Sequence, residues 1–208
     1  MEDNRAKMTY SKRAFDLTCA VILAILLSPI SIVVSVLILC LDGRPVFYVS
    51  ERMQTPTKGF QLLKFRTMKP VATDAGVSGG NKSARITRTG AFMRAKRIDE
   101  LPQLWNVLKG DISFVGPRPP LRQYVERFPE IYGLVLRSRP GITGLASVHF
   151  NKHEENLLSR TQSSEETDAI YCRRCIPRKA KLDMIYQSKR TLCLDILIML
   201  QSVFKRLR

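Results

Sequence analysis

Apolar residues fall along this chain in three patterns, and each predicts a different kind of element. The first is a block. From Leu17 to Leu41 the sequence reads LTCAVILAILLSPISIVVSVLILCL, 25 residues without a charge, and roughly 20 apolar residues are enough to span a bilayer as a helix. The block is longer than the ~7–15-residue core of a signal peptide, and no small-residue cleavage site leading into a disulfide-rich domain follows it. Ser28 and Pro29 stand at its midpoint, where proline removes an N–H and crowds the preceding turn, so a helix break is expected there, with the Ser28 hydroxyl available to the freed carbonyl. Arg5, Lys7, Lys12 and Arg13 precede the block, and Arg44, Arg52, Lys58 and Lys64 follow it. Basic flanks favour the cytoplasmic side. A broken helix that enters and leaves by one face satisfies both flanks, and a kinked spanning helix is the alternative that the residues leave open.

The second pattern is strand-like. Val46 to Val49 and Phe60 to Phe65 are short apolar runs on either side of the turn-rich Gln54 to Gly59, which predicts a β-hairpin. Residues 70–84, PVATDAGVSGGNKSA, are small and polar and read as a surface loop. The third pattern is helical. It runs from Thr89 through Leu108, interrupted by Pro102, which predicts two helices meeting near Glu100 with Pro102 in the first turn of the second. Gly116-Pro117-Arg118-Pro119-Pro120 is too proline-dense for regular structure. A helix is expected from Leu121 to Ser138, closed by a turn at Pro140-Gly141, and an amphipathic one from Leu192 to Leu207 whose basic end suits an interface with anionic lipid. The fold class expected is α+β and mostly helical. Residues 1–43 form the membrane segment, and residues 44–208 form a membrane-associated catalytic domain with interfacial helices and a small hairpin.

Composition narrows the partner. The 208 residues carry 34 Lys+Arg against 18 Asp+Glu, a formal net charge of +16, so the partner is anionic: nucleic acid, a phosphorylated substrate or an acidic membrane surface. With 45% hydrophobic residues the chain is not a disordered polyampholyte, and with a mean hydropathy of −0.08 it is not a polytopic transporter. Its five cysteines are an odd number, two of them inside the apolar block, which is no extracellular disulfide framework.

Candidate chemistry centres on Asp99-Glu100. Adjacent carboxylates at a helix start, preceded by Arg94, Lys96 and Arg97, are expected to be ionised. Next to phosphate-binding cations they suit Mg²⁺, which takes one or two protein carboxylates and completes its shell with phosphate oxygens and water. Lys64, Arg66, Arg88, Arg94, Arg97 and Arg118 place cations around them, and Arg118 is held between prolines. Rigidly presented arginine pairs with phosphate strongly and specifically. His149-x3-His153 and Cys172-x2-Cys175 have spacings seen in zinc sites, with residues 154–171 between the pairs.

Several ordered segments carry a resemblance. Lys12-Arg13-Ala14-Phe15-Asp16, Leu27-Ser28-Pro29, Phe65-Arg66-Thr67-Met68, Arg97 to Val107, Gly110 to Pro119 and Arg139-Pro140-Gly141-Ile142-Thr143-Gly144 together resemble the bacterial sugar transferases, and among them the small monotopic polyprenol-phosphate phosphoglycosyl transferases. The resemblance implies transfer of a sugar-1-phosphate from a UDP-sugar to undecaprenyl phosphate with release of UMP, at the start of glycan assembly. It implies Asp99 as the nucleophile of an aspartyl-phosphosugar intermediate, Glu100 with Asp99 as the Mg²⁺ site, and a re-entrant helix broken at Ser28-Pro29. Lys64, Arg66, Arg94, Arg97, Arg118 and Arg139 would contact phosphate and nucleotide, and Asp183 matches a late family aspartate. The location implied is the bacterial inner membrane, with both termini and the catalytic domain on the cytoplasmic face. A second copy of the chain and downstream glycosyl transferases are further candidate partners.

One departure stands out. Many relatives continue the Pro-Gly-Ile-Thr-Gly motif with Gly-Arg-Asn, where this chain has Val148 to Lys152, and Lys152 is the candidate substitute for the missing arginine. Two rivals remain. A membrane-tethered module binding nucleic acid or anionic lipid gives Asp99-Glu100 no task, and its 8% aromatic residues offer few stacking surfaces. A transferase that moves sugar without phosphate would release UDP in place of UMP.

Overall fold

In a computed structural model that describes residues 8–70 and 84–204, the apolar block forms most of a 32-residue helix α1, Tyr10–Leu41. Among the described residues it is the one helix long and apolar enough to cross a membrane. Helical structure continues on both sides of Pro29 with no intervening turn, so the expected break is here a missing hydrogen bond and not a gap between two helices. The Ile25 carbonyl, which an N–H at position 29 would have served, accepts the Ser28 hydroxyl at 2.8 Å. Ser31 and Ser35 likewise donate to the carbonyls of Leu27 and Ser31, at 2.9 and 2.7 Å. Every serine of the block is thereby satisfied within its own helix, as an apolar surrounding demands.

Polar residues fasten α1 to the rest of the chain at both ends. At the start, Lys12 Nζ lies 2.5 Å from Asp195 Oδ2, and the hydroxyl of Tyr186 donates to Asp195 Oδ1 at 2.6 Å. All three side chains are buried. Arg13 donates to the carbonyls of Val107 and Leu108 at 2.7 and 2.8 Å. At the other end Arg66 donates to the carbonyls of Asp42, Gly43 and Arg44 at 2.7, 2.6 and 3.2 Å, and the Asp42 carboxylate accepts the hydroxyls of Thr87 and Thr89.

The predicted hairpin is present as β1, Phe47–Met53, antiparallel to β2, Gly59–Phe65. Next come α2, Arg88–Lys96, a single 3₁₀ turn, Ile98–Glu100, and α3, Gln103–Lys109. Pro102 caps α3 and does not enter its first turn, so Asp99-Glu100 lies on the 3₁₀ turn ahead of that helix. Asn106 of α3 serves the free edge of β2 as a strand partner would. Its Oδ1 accepts from Leu63 N at 3.0 Å, and its Nδ2 donates to Gln61 O at 2.8 Å.

Two of the glycine motifs meet. β3, Ser113–Val115, runs parallel to β4, Gly141–Thr143, so Gly141 opens a strand where a closing turn was expected. The backbones touch here: a Cβ on Gly144 would stand 2.1 Å from the Gly116 carbonyl oxygen, and one on Gly116 2.2 Å from that of Arg139. The expected helix over 121–138 is two, α4, Arg122–Arg127, and α5, Pro129–Val135, because Pro129 cannot continue α4 and starts α5 instead. The chain then folds as α6, Leu145–Leu158, and α7, Ser164–Ile170. A π-helical turn, Tyr171–Cys175, leads into α8, Ile176–Lys189, and α9, Leu192–Phe204, follows. Arg5, Lys7, nearly all of the 70–84 loop and the basic tail after Phe204 lie outside the described residues.

Asp195→Ala strands the Lys12 ammonium in the interior, and breaking one side of a buried ion pair costs about 3–5 kcal/mol. The expected outcome is a large drop in melting temperature in detergent, reversed in good part by the paired change Lys12→Met with Asp195→Leu. Equal melting of wild type and Asp195→Ala would contradict the docking role.

Candidate active site

The hairpin, the 3₁₀ turn and α8 enclose an open cavity of about 600 Å³. Lys64, Arg66, Arg94, Asp99, Arg118 and Asp183 of the predicted site residues border it. Each is placed by local chain chemistry. Lys64 stands on β2 opposite Tyr48. Arg94 sits in the last turn of α2, which ends at Arg97 in a left-handed conformation, φ 55°. That reversal turns Asp99 and Glu100 back towards the hairpin. Arg118 lies in the proline-dense segment that leaves β3.

The two carboxylates occupy different environments. Glu100 meets Arg97 Nη1 at 3.3 Å, Lys64 Nζ at 3.4 Å and Arg118 Nη2 at 3.6 Å. Burial pushes its pKa up, but these cations outweigh burial and hold it at about 2. Asp99 is also buried, but among the described residues no side chain donates a hydrogen bond to it. Burial first, then the Glu100 charge, push its pKa above the usual carboxylate value, against the pull of Lys64, Arg94 and Arg97. The two carboxylates are therefore unequal: one member is locked as an anion, and the other is a more basic carboxylate facing open space. Lys64 is lowered to about 8 by burial and by the Arg118 charge, despite its contact with Glu100.

Asp183 on α8 is buried with Oδ1 unpartnered, and desolvation pushes its pKa up to about 7. Arg66 borders the cavity, but its two Nη atoms are spent on the carbonyls after α1. Arg139 stands apart from this group, donating to the Gly110 carbonyl at 2.7 Å beyond α3. Lys152 is exposed on α6 and does not border the cavity, although its neighbours Asn151 and Glu154 do. Arg52, read from the sequence only as a flanking charge, lines the cavity from β1. Its alternation with Tyr48 and Ser50 on one strand face was the signal available for it.

The zinc spacing does not assemble. His149 and His153 are exposed, His153 sits 3.1 Å from Arg178, Cys172 and Cys175 are buried, and no group of three metal-ligating side chains gathers among the described residues. Mg²⁺ is a different case, because it needs only one or two protein carboxylates when phosphate oxygens and water complete its shell. Asp99, open to the cavity and free of donors, with Glu100 beside it, fits that requirement.

A depressed carboxylate pKa contributes stability above the unfolded-state value, 4.5 for Glu100, which is lost as pH falls through the folded value of about 2. The melting-temperature gap between wild type and Glu100→Gln is thus expected to be widest above about pH 5 and to close towards pH 2. A gap independent of pH would contradict the triple clamp.

Known proteins resemble the chain along much of its length. It is 43% identical over 141 residues to the uncharacterized sugar transferase EpsL of Bacillus subtilis (strain 168), covering 66% of this chain and 68% of that one. It is 40% identical over 143 residues to the UDP-N-acetylgalactosamine-undecaprenyl-phosphate N-acetylgalactosaminephosphotransferase of Aeromonas hydrophila, and 35% over 166 residues to the UDP-glucose:undecaprenyl-phosphate glucose-1-phosphate transferase of Klebsiella pneumoniae. Those matches cover 67% and 78% of this chain but only 34% and 36% of the longer relatives. The family model described as bacterial sugar transferase matches residues 7–208, and to that family the chain belongs.

Proposed function

We propose that the protein transfers a sugar-1-phosphate from a UDP-sugar to undecaprenyl phosphate, releasing UMP. The observation that carries this reading is the divided carboxylate pair: a donor-free, basic Asp99 facing a cation-lined cavity, beside a Glu100 whose charge is fully engaged. The names of the relatives support the same substrates.

The chemistry follows from that division. A carboxylate held at a pKa of about 2 by three cations is a weak nucleophile, whereas a desolvated one with no donor upon it is a stronger one. An Asp99 oxygen attacks the sugar-bearing phosphorus, a P–O bond forms, and the bond to the UMP oxygen breaks. An oxygen of undecaprenyl phosphate then attacks the same phosphorus, the Asp99 bond breaks, and a polyprenyl diphosphosugar leaves. Neither step needs a net proton. Arg94, Lys64 and Arg118 line the cavity with Asp99, and in this reading they stabilise the charge that develops on the transferring phosphate. A Mg²⁺ held by Asp99 and Glu100 would neutralise part of that charge. A transferase that moved sugar without phosphate would gain nothing from a nucleophile surrounded by phosphate-binding cations.

Asp99→Asn is expected to lower UMP release from a UDP-sugar by more than about a thousandfold with the fold retained, as loss of a nucleophile does. Turnover preserved in that variant, or release of UDP, would overturn the reading.

Both ends of α1 belong on the cytoplasmic face of the inner membrane in this reading, because each carries a basic flank and each is tied to the same catalytic body. Single cysteines introduced at Tyr10 and at Arg44 are expected to react with a membrane-impermeant thiol reagent from the cytoplasmic side alone. Labelling of either from the opposite side would contradict re-entry.

A further inference from the structure

A half-buried cation at the cavity has no assigned task. Arg52 lines the 600 Å³ cavity, and together with Lys64 and Arg118 it also lines a second one of about 10 Å³ behind it. The three cations therefore form the wall between the two. In the hairpin register Lys64 pairs with Tyr48, and Arg52 follows Tyr48 by four residues on the same strand, so both cations project from one face.

Arg52 is poorly served by its own chain. Its only hydrogen bonds among the described residues are two long ones, 3.5 Å each, to Ser50 Oγ and to the Pro119 carbonyl. It makes no ion pair among the described residues; Arg118 and Lys64 beside it are like charges, and burial and Arg118 together lower its pKa. Glu100 is shared among Lys64, Arg97 and Arg118 and makes no ion pair with Arg52. A half-buried guanidinium beside another cation, with only long hydrogen bonds of its own, is unfavourable unless something from outside the chain satisfies it. Arginine presents its donors as a planar fork that matches phosphate oxygens.

We infer that Arg52 is a phosphate-binding residue of the cavity, completing with Lys64 and Arg118 an oxyanion subsite in which a phosphoryl group of a substrate is held. The inference rests on the proposed reaction only in identifying the phosphate. Nucleotide diphosphate and lipid phosphate share the chemistry that the fork recognises, and binding measurements with each tell them apart.

The test uses the full chain in detergent, with wild type, Arg52→Met and Arg52→Lys compared for binding of UDP and of undecaprenyl phosphate, and for melting temperature without ligand. Loss of a charge-assisted pair is expected to weaken one or both probes by roughly 10- to 100-fold in Arg52→Met, with the affected probe naming the source. Arg52→Lys, which keeps charge without the fork, recovers part of that loss. The unliganded melting temperature of Arg52→Met is expected to equal or exceed that of wild type, because the change removes a half-buried cation from beside another. Binding of both probes within threefold of wild type overturns the inference, as does a fall in unliganded stability with binding unchanged. UMP release by wild type in the same preparation keeps the two readings separate. Arg52-dependent UDP binding without UMP release upholds the subsite and refutes the reaction, and UMP release with Arg52-independent binding does the reverse.

Discussion

The contact on which the remaining structure depends is the buried group Lys12, Asp195 and Tyr186. Its members come from α1, α9 and α8, and the Tyr186 hydroxyl also lies 3.1 Å from the Val115 carbonyl of β3. An ammonium and a carboxylate removed from water are stable together and costly apart, so the group specifies one docking arrangement for four elements. α3 is drawn into the same arrangement by Arg13, and α3 in turn closes the open edge of β2 through Asn106. The hairpin that carries Lys64 and the turn that carries Asp99 thus take their relative position from a contact made at the far end of the apolar helix.

Electrostatics in the cavity are arranged by unequal sharing. Lys64, Arg94, Arg97 and Arg118 surround two adjacent carboxylates. If the cations were divided evenly, both carboxylates would be weak bases. Three of them converge on Glu100 instead, which leaves Asp99 to feel its neighbour's negative charge and its own desolvation. The positive excess that remains faces the cavity, where a doubly negative phosphate brings the balance towards zero.

Much of this was legible in the sequence, and the rest was hidden for definable reasons. The hairpin followed from two apolar runs around a turn, α1 from an uncharged block, and the role of Ser28 from the missing N–H of Pro29. Asp99 and Glu100 were found as adjacent carboxylates at a helix start, Arg118 by the prolines that hold it, and Lys64 as one of the cations gathered in the same stretch. Arg66 and Arg139 carry the same charge but spend it on main-chain carbonyls, and a carbonyl has no letter in the sequence. The pairing of β3 with β4 joins segments whose strands begin 28 residues apart, at Ser113 and Gly141, through glycines that allow backbones to touch. Composition shows such glycines as turn formers, not as contact points. The run from α6 to α8 is polar on much of its surface and lacks a strong apolar stripe, so its helices were not distinguished from loop. Arg52 was visible only as one of several basic residues after the membrane block.

The double fastening of α1 has a consequence for how a lipid substrate is met. A water-soluble nucleotide reaches an open cavity from any direction. The phosphate of a polyprenol is confined to a plane, and it meets only what stands at its own height. Because α1 is held by Lys12 and Arg13 at one end and by Arg66, Thr87 and Thr89 at the other, with no free linker between it and the hairpin, the depth of the apolar helix in a bilayer sets the height of Asp99. In the proposed reaction the same residues that read as anchors therefore act as a gauge, fixing the level above the bilayer at which the acceptor would present its phosphate.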